Sequence, residues 1–206
     1  MRLFAMPGTC ALAPNIVAVW VGAPVEVVNL TPGENREPAY LAINPKGMVP
    51  ALEIEPGVIL AEAAAVMRYL AAVGTNLSLN PHDPLRWARV DEAMSYMTSE
   101  VHAAYGGHFA PFRFAESEAG QAEVRSITYA KLAAHYVRLE RNFVANGGDH
   151  YLGSRTTADA YLYVLIRWID STPLKLDDYP ALRAFRAMMQ DDAGVRTALA
   201  RQGMAD

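Results

Sequence analysis

Asn44-Pro45-Lys46-Gly47-Met48-Val49-Pro50-Ala51-Leu52, continued by Leu60-Ala61-Glu62, is the stretch on which the reading of this chain turns. Ala51-Leu52-Glu53-Ile54 behind Pro50 and Val58-Ile59-Leu60 behind Gly57 are short apolar runs of strand type. From Glu62 onward the apolar residues Ala65, Val66, Tyr69 and Leu70 recur at helical spacing. The order is therefore turn, strand, hairpin, strand, helix. Proline fixes its own φ and lowers the cost of a cis bond, so Val49-Pro50 at the head of a strand can hold a kink. Such a kink turns the Val49 amide and carbonyl away from the sheet ladder.

These residues resemble the glutathione-binding half of cytosolic glutathione transferases, most closely the bacterial beta class. The resemblance implies a cis Val49-Pro50 bond and a Val49 backbone that pairs with the cysteinyl part of glutathione. It further implies that Glu62 and Ala63 hold the γ-glutamyl carboxylate at a helix start. Helix N-termini carry unpaired N–H groups and a partial positive charge, which suits an anion there. Taken alone, a hairpin before a helix is the commoner meaning of such a pattern, and the length and order of the motif reverse that preference.

Upstream, Leu3 to Val25 carries no charge, but Pro7, Gly8, Pro14, Gly22 and Pro24 break it and argue against a signal peptide or membrane span. It reads as a strand at Arg2 to Phe4, a turn at Pro7-Gly8, a helix from about Cys10 to Val21 and a second strand at Val25 to Val28. Thr31 to Tyr40 reads as a loop with room for one short helix. The first eighty residues then run β-α-β-(α)-β-β-α, the thioredoxin-like order.

Beyond Gly74 the pattern becomes helical. Long helices are expected from Pro84 to about Tyr105 and from Glu118 to about Ala145. Thr156-x-x-Asp159 is a capping-box-like start for the apolar run Ala160 to Ile166, which marks a buried central helix. Two more helices follow Tyr179-Pro180 and Asp192. The expected fold class is α+β, a thioredoxin-like domain with a mixed four-stranded sheet at residues 1–76, a linker at 77–83 and an all-helical domain at 84–206. Thr156-x-x-Asp159-Ala160-Tyr161-Leu162, Arg167-Trp168 and Tyr179-Pro180-x-Leu182 extend the beta-class resemblance over nearly the whole chain.

The 206 residues are 52% hydrophobic and 19% charged, as in soluble globular proteins, and a net charge of -4 without a basic run argues against nucleic acid. One cysteine allows no internal disulfide and favours a reducing, cytoplasmic setting. No metal-ligand spacing is present.

Cys10 is the first candidate catalyst. At a helix start its thiol pKa should fall below the reference of ~8.5. A lone cysteine is more often buried and inert. Pro7-Gly8-Thr9-Cys10-Ala11-Leu12-Ala13-Pro14 resembles the beta-class segment whose cysteine faces glutathione and forms a mixed disulfide with it. His102 is the second, on the resemblance of Ser99-Glu100-Val101-His102 to the beta-class helix that projects a histidine into the active site, with Ser99 one turn back. Tyr105, His108, Phe109 and Phe112 are candidates for an apolar electrophile pocket. His82, His135 and His150 match no such position.

Four departures bear on function. Met48 stands where glutamine is usual and removes an amide donor; Ala63 replaces a serine or glycine; Ala5 replaces a common tyrosine and Ala103 a lysine. Each lost hydrogen bond weakens affinity by ~0.5 to 1.5 kcal/mol. The expectation is a glutathione transferase that uses glutathione as co-substrate, with no metal. It would act on a hydrophobic electrophile or a disulfide, as a homodimer, with no nucleic-acid or membrane partner. Glutathione contacts are expected from Met48, Val49, Pro50, Glu62, Ala63 and Ser99, and catalysis from Cys10 and His102. A non-catalytic binding or dimerisation protein with a weakened site is the alternative, and a glutathione-dependent lyase, isomerase or dehalogenase is a third reading.

Overall fold

A computed structural model describes residues 1–204. Its contacts divide the chain into two compact units, Met1–Ala88 with Met188–Asp206, and Arg89–Ala187.

In the first unit, β1 (Arg2–Ala5), β2 (Glu26–Asn29), β3 (Ala51–Glu55) and β4 (Val58–Ala61) form one mixed sheet in the order β2-β1-β3-β4. β1 is parallel to β2 and antiparallel to β3, and the hairpin joins β3 to β4. Side chains alternate across a strand. Phe4 and Ala51, paired in register, share one face with Tyr40 and with the partly buried Val28, Ile43, Val49 and Ile59. Leu3, Ala5 and Leu52 alternate with them and are completely buried. α1 (Leu12–Trp20) and α3 (Ala63–Val73) pack together. The loop expected over Thr31 to Tyr40 contains a 3₁₀ turn at Glu34–Arg36 and a short helix, α2 (Pro38–Leu41).

α1 starts two residues later than its spacing predicts. Thr9 supplies the reason, because its hydroxyl donates to Met6 O at 2.7 Å and accepts from Ala11 N at 3.3 Å, which holds Met6 to Ala11 in a turn. Cys10 therefore lies in that turn, just ahead of the helix.

The second unit is helical. α4 (Pro84–Tyr96) passes into a π turn at Met97–His102 and on into α5 (Ala103–Phe109), so the helix expected to end near Tyr105 runs four residues further and contains one widened segment. α6 (Glu118–Ala145) has the predicted bounds, α7 (Thr157–Trp168) starts at the predicted cap, and α8 (Pro180–Asp191) and α9 (Ala193–Arg201) follow. Leu132, Tyr136, Leu139 and Phe143 form the buried stripe of α6. Tyr136 donates to Leu165 O at 2.6 Å and meets the Tyr105 hydroxyl at 2.7 Å, so the polar ends of two buried rings are satisfied. Glu140 on α6 caps α8, accepting from Ala181 N at 2.8 Å and Leu182 N at 2.9 Å.

α9, which periodicity groups with the helices, packs on α1 in the first unit. Asn15 donates to Ala198 O at 2.9 Å and Trp20 Nε1 to Asp192 Oδ1 at 2.8 Å.

Candidate active site

The Asn44–Pro50 loop is built from below by three polar side chains. Asn35 Nδ2 donates to Gly47 O at 2.7 Å; Tyr40 OH and Asn44 Nδ2 both donate to Met48 O, at 2.6 and 2.7 Å. Gly47 has φ of +61°, and a Cβ there would sit 2.9 Å from Asn35 O, so the turn requires glycine. With the preceding carbonyls tied down, the chain enters a cis Val49-Pro50 bond. The ladder between β1 and β3 begins only at Ala51, so the Val49 N–H and C=O stand outside it. Met48 is 52% exposed and presents an apolar side chain beside them.

The Cys10 turn lies against this loop. Cys10 is buried, and its thiol donates to Val49 O at 3.8 Å. The end of the chain braces the same turn from another side. Gly8 N donates to Met204 Sδ at 3.3 Å and Gln202 Nε2 to Ala11 O at 3.4 Å. A thiol thus stands beside the backbone at the entrance to β3.

The start of α3 supplies the next group. Its first intrahelical bond is Val66 N to Glu62 O at 2.9 Å, which leaves the N–H groups of Ala63, Ala64 and Ala65 without a helical acceptor. No side chain caps this end, and no acidic residue occupies the first turn. Glu62 is the one non-glycine residue with positive φ (+71°) among the described residues. That conformation costs of order 1–3 kcal/mol, and such outliers gather at ligand clamps. Its carboxylate is exposed and pairs with Lys46 Nζ at 2.8 Å.

In the helical unit, His102 closes the π turn. Its Nδ1 and the Tyr161 hydroxyl are 2.5 Å apart, and the Trp168 ring stands edge-on at 4.8 Å between centroids. Burial lowers the pKa of the imidazole, which favours its neutral form. Ser99 is exposed, and its hydroxyl donates back to Ser95 O at 2.7 Å while Thr98 does the same to Met94 O at 2.8 Å. These bonds occupy carbonyls beside the widened turn, where backbone pairing is shifted. Phe109 is 52% exposed and stacks on Tyr105 at 5.6 Å, with Trp168 edge-on at 5.4 Å. His108 is held between Tyr129 OH at 3.1 Å and Ser171 Oγ at 3.0 Å. Phe112 and Phe114 are exposed near it in sequence.

Of the residues singled out from sequence, Cys10, Met48, Val49, Pro50, Glu62 and Ala63 belong to the first unit, and Ser99 and His102 to the second. Sequence reasoning missed Tyr161 and Trp168 as the partners of His102, and Thr9, Asn35 and Tyr40 as supports. Asn44 was within the quoted motif, and its Asn-Pro setting was a usable turn signal. Among the described residues, no group of three or more metal-ligating side chains gathers, and no helix is long and apolar enough to cross a membrane.

Comparison with known proteins fits this geometry. A family profile described as glutathione S-transferase, N-terminal domain, matches residues 1–72. A glutathione S-transferase of Xanthomonas campestris pv. campestris is 30% identical over 210 residues, covering 99% of this chain and 100% of that one. The structure of a glutathione transferase homolog from Sulfitobacter with bound glutathione superposes with a TM-score of 0.89 at 30% identity, over 99% of this chain and 98% of that one. A bacterial beta-class glutathione S-transferase of Sphingomonas chungbukensis gives 0.88 at 29% identity over 100% of both chains.

Proposed function

This chain belongs to the glutathione S-transferase family, and on that premise we propose that it binds glutathione along the Val49 backbone and the start of α3 and uses it as co-substrate. The observation that carries the proposal is the juxtaposition of the Cys10 thiol with Val49 O at the mouth of the cis Val49-Pro50 turn. The Val49 N–H and C=O, which stand outside the sheet ladder, suit the cysteinyl backbone of a tripeptide, which can add to them as a short strand. The γ-glutamyl end carries a carboxylate and an ammonium. The uncapped N–H groups of Ala63 to Ala65 suit the first, and the Glu62 carboxylate suits the second. Lys46 must then share Glu62 with the ligand.

Two reactions use such a site. In conjugation the glutathione thiolate attacks an electrophilic carbon and expels the leaving group, while Cys10 keeps its covalent state and helps to place the sulfur. In thiol transfer the Cys10 thiolate attacks the glutathione sulfur of a disulfide between glutathione and a substrate thiol, forms a mixed disulfide with glutathione and releases the substrate as its thiolate, the glutathione leaving in the next step as glutathione disulfide. A second glutathione then attacks the mixed disulfide and restores Cys10, because the chain has no other cysteine to do so. His102, neutral and steered by Tyr161, is proposed as a second catalytic residue. The exposed aromatic rings at Phe109, Phe112 and Phe114 are proposed to favour apolar electrophiles, and the assembly is proposed to be a cytoplasmic homodimer.

The alternative, a non-catalytic binding protein, is favoured by the exposed Met48 in place of an amide and by Ser99, whose hydroxyl is committed to Ser95 O. Isothermal titration separates the two. The expected result is saturable binding of reduced glutathione, weaker than in enzymes with the full polar set; absence of heat at millimolar ligand, with the fold intact, supports the binding-protein reading. Intact mass after exposure to glutathione disulfide tests the chemistry. A single adduct on the wild type, with disulfide reduction lost and conjugation kept in Cys10→Ser, is expected. No adduct together with unchanged activities in the variant means that Cys10 is structural.

A further inference from the structure

Cys10 precedes the first residue of α1, so the helix alone does not fix its place. The Thr9 hydroxyl closes the Met6 to Ala11 turn on itself, and the segment after α9 ties that turn to the rest of the unit. α9 ends in a paired backbone turn, in which Gly203 N donates to Ala200 O and Met204 N to Leu199 O, each at 3.0 Å. This Schellman arrangement needs the left-handed conformation that Gly203 adopts at φ of +63°. The reversed chain brings Met204 Sδ to the Gly8 amide, which donates to it at 3.3 Å. Gln202, 2% exposed, donates to Ala11 O at 3.4 Å. The two contacts fall on either side of Cys10 and bracket its thiol.

Stability does not account for these side chains. Gln202 Oε1 is buried and accepts no hydrogen bond from the described residues, and the same holds for Asn15 Oδ1 on α1, whose Nδ2 donates to Ala198 O. A buried acceptor without a donor is destabilising, and an apolar side chain of similar size would avoid it. A thioether is likewise among the weaker acceptors. What the two side chains do provide is a fixed spacing between α9 and both ends of the Cys10 turn. α9 is in turn joined to α1 through Asn15 and through Trp20, and Asn29 at the end of β2 donates to Arg201 O at 2.8 Å. The brace therefore refers the turn to a helix and to the sheet together.

We propose that Gln202 and Met204 are positioning residues that hold Cys10 Sγ in line for attack on a bound disulfide, an inference that rests on the thiol-transfer role proposed for Cys10. In that step Sγ bonds to the glutathione sulfur, the disulfide bond breaks and the departing sulfur takes the electron pair as a thiolate. A turn free to shift by about an ångström loses the alignment that the step needs. It loses nothing toward a small reagent that reaches the thiol from solution.

Met204→Leu keeps the bulk and removes the acceptor, Gln202→Met keeps the length and removes the donor, and Met204→Gln offers an amide oxygen to Gly8 N. Time-resolved intact mass gives the rate at which glutathione disulfide forms the Cys10 adduct. Alkylation of this sole thiol by iodoacetamide gives its reactivity toward a free reagent, and titration calorimetry gives the affinity for reduced glutathione. Adduct formation is expected to be roughly tenfold slower in Met204→Leu and in Gln202→Met, with alkylation no slower than in the wild type and glutathione affinity unchanged. Met204→Gln should recover most of the loss. A merely structural role would lower the urea midpoint and leave the ratio of the two rates where it was. Unchanged adduct formation in both variants overturns the proposal and leaves the assignment of Cys10 standing, and so does an equal loss in both reactions. A rate in Met204→Gln as low as in Met204→Leu overturns the hydrogen bond to Gly8 as the means. A wild type that forms no adduct removes the assignment of Cys10, and this proposal with it.

Discussion

Asp159 is completely buried, and both of its oxygens accept hydrogen bonds. Oδ2 receives Thr156 N at 2.7 Å and the Thr156 hydroxyl at 3.3 Å, while Oδ1 receives Tyr151 N at 2.9 Å. One carboxylate thus closes the start of α7 and pins the loop before it. Asp159→Ala would leave two buried N–H groups without acceptors and should cost about 3 kcal/mol, at ~1 to 3 kcal/mol per buried group. Thr156→Ala should cost ~1 kcal/mol, the ordinary worth of an N-cap. Urea midpoints measure both, and a loss in Asp159→Ala no greater than that in Thr156→Ala would show that Tyr151 does not depend on the carboxylate. The Thr156-x-x-Asp159 half of this arrangement is legible in the sequence because capping acts over three residues. The Tyr151 half is not, since its partner lies eight positions away across an irregular loop. The same holds for His102 and Tyr161, which are 59 positions apart and carry no shared spacing.

At the scale of elements, the hairpin and α3 are legible because a strand period of two gives way to a helical period at Glu62. The positive φ of Glu62 is not, since nothing in its residue type signals it. Glycine at this position would relieve ~1–3 kcal/mol of backbone strain while losing some unfolded-state restriction and the exposed pair with Lys46. Glu62→Gly should therefore be more stable by about 1 kcal/mol and bind glutathione more weakly, because the carboxylate proposed for the ligand's ammonium is gone. Urea melts and titration calorimetry read the two effects, and a variant both less stable and equal in affinity would refute the clamp. The π turn at Met97–His102 also escapes the sequence. Six residues of wider winding inside twenty-six helical ones barely disturb the apolar repeat, yet they decide where His102 and Ser99 point. The late start of α1 has a comparable cause in the Thr9 hydroxyl, which can cap a turn as readily as a helix.

At the scale of the molecule, the two units carry different titrating groups, and their acid sensitivity should separate them. His102, His108 and His135 all belong to Arg89–Ala187, and burial lowers the pKa of each from 6.5; Arg125 adds to the effect at His108, and Arg138 and Lys131 add to it at His135, where Glu100 opposes it. Once unfolded they return to about 6.5, so below that value the unfolded chain binds more protons and stability falls with pH until the folded rings titrate as well. Above it both states are neutral, and the contribution is complete. Glu34 and Glu53 lie in the sheet unit. The Thr31 amide lowers the first from 4.5, and the Arg2 side chain, helped by the Gly57 amide, lowers the second. Their stabilisation is present above 4.5 and is lost only as pH falls through the lower folded values. The urea midpoint should accordingly be level from about pH 8 to 7, decline between about 7 and 5, and decline again below about 4.5. His135→Gln should flatten the first decline and leave the second. Peptide-resolved hydrogen exchange, corrected for its intrinsic pH dependence, should place the first loss of protection in Arg89–Ala187. A wild-type midpoint that stays level down to about pH 5, or a first loss of protection in Met1–Ala88, would remove the buried histidines as its cause.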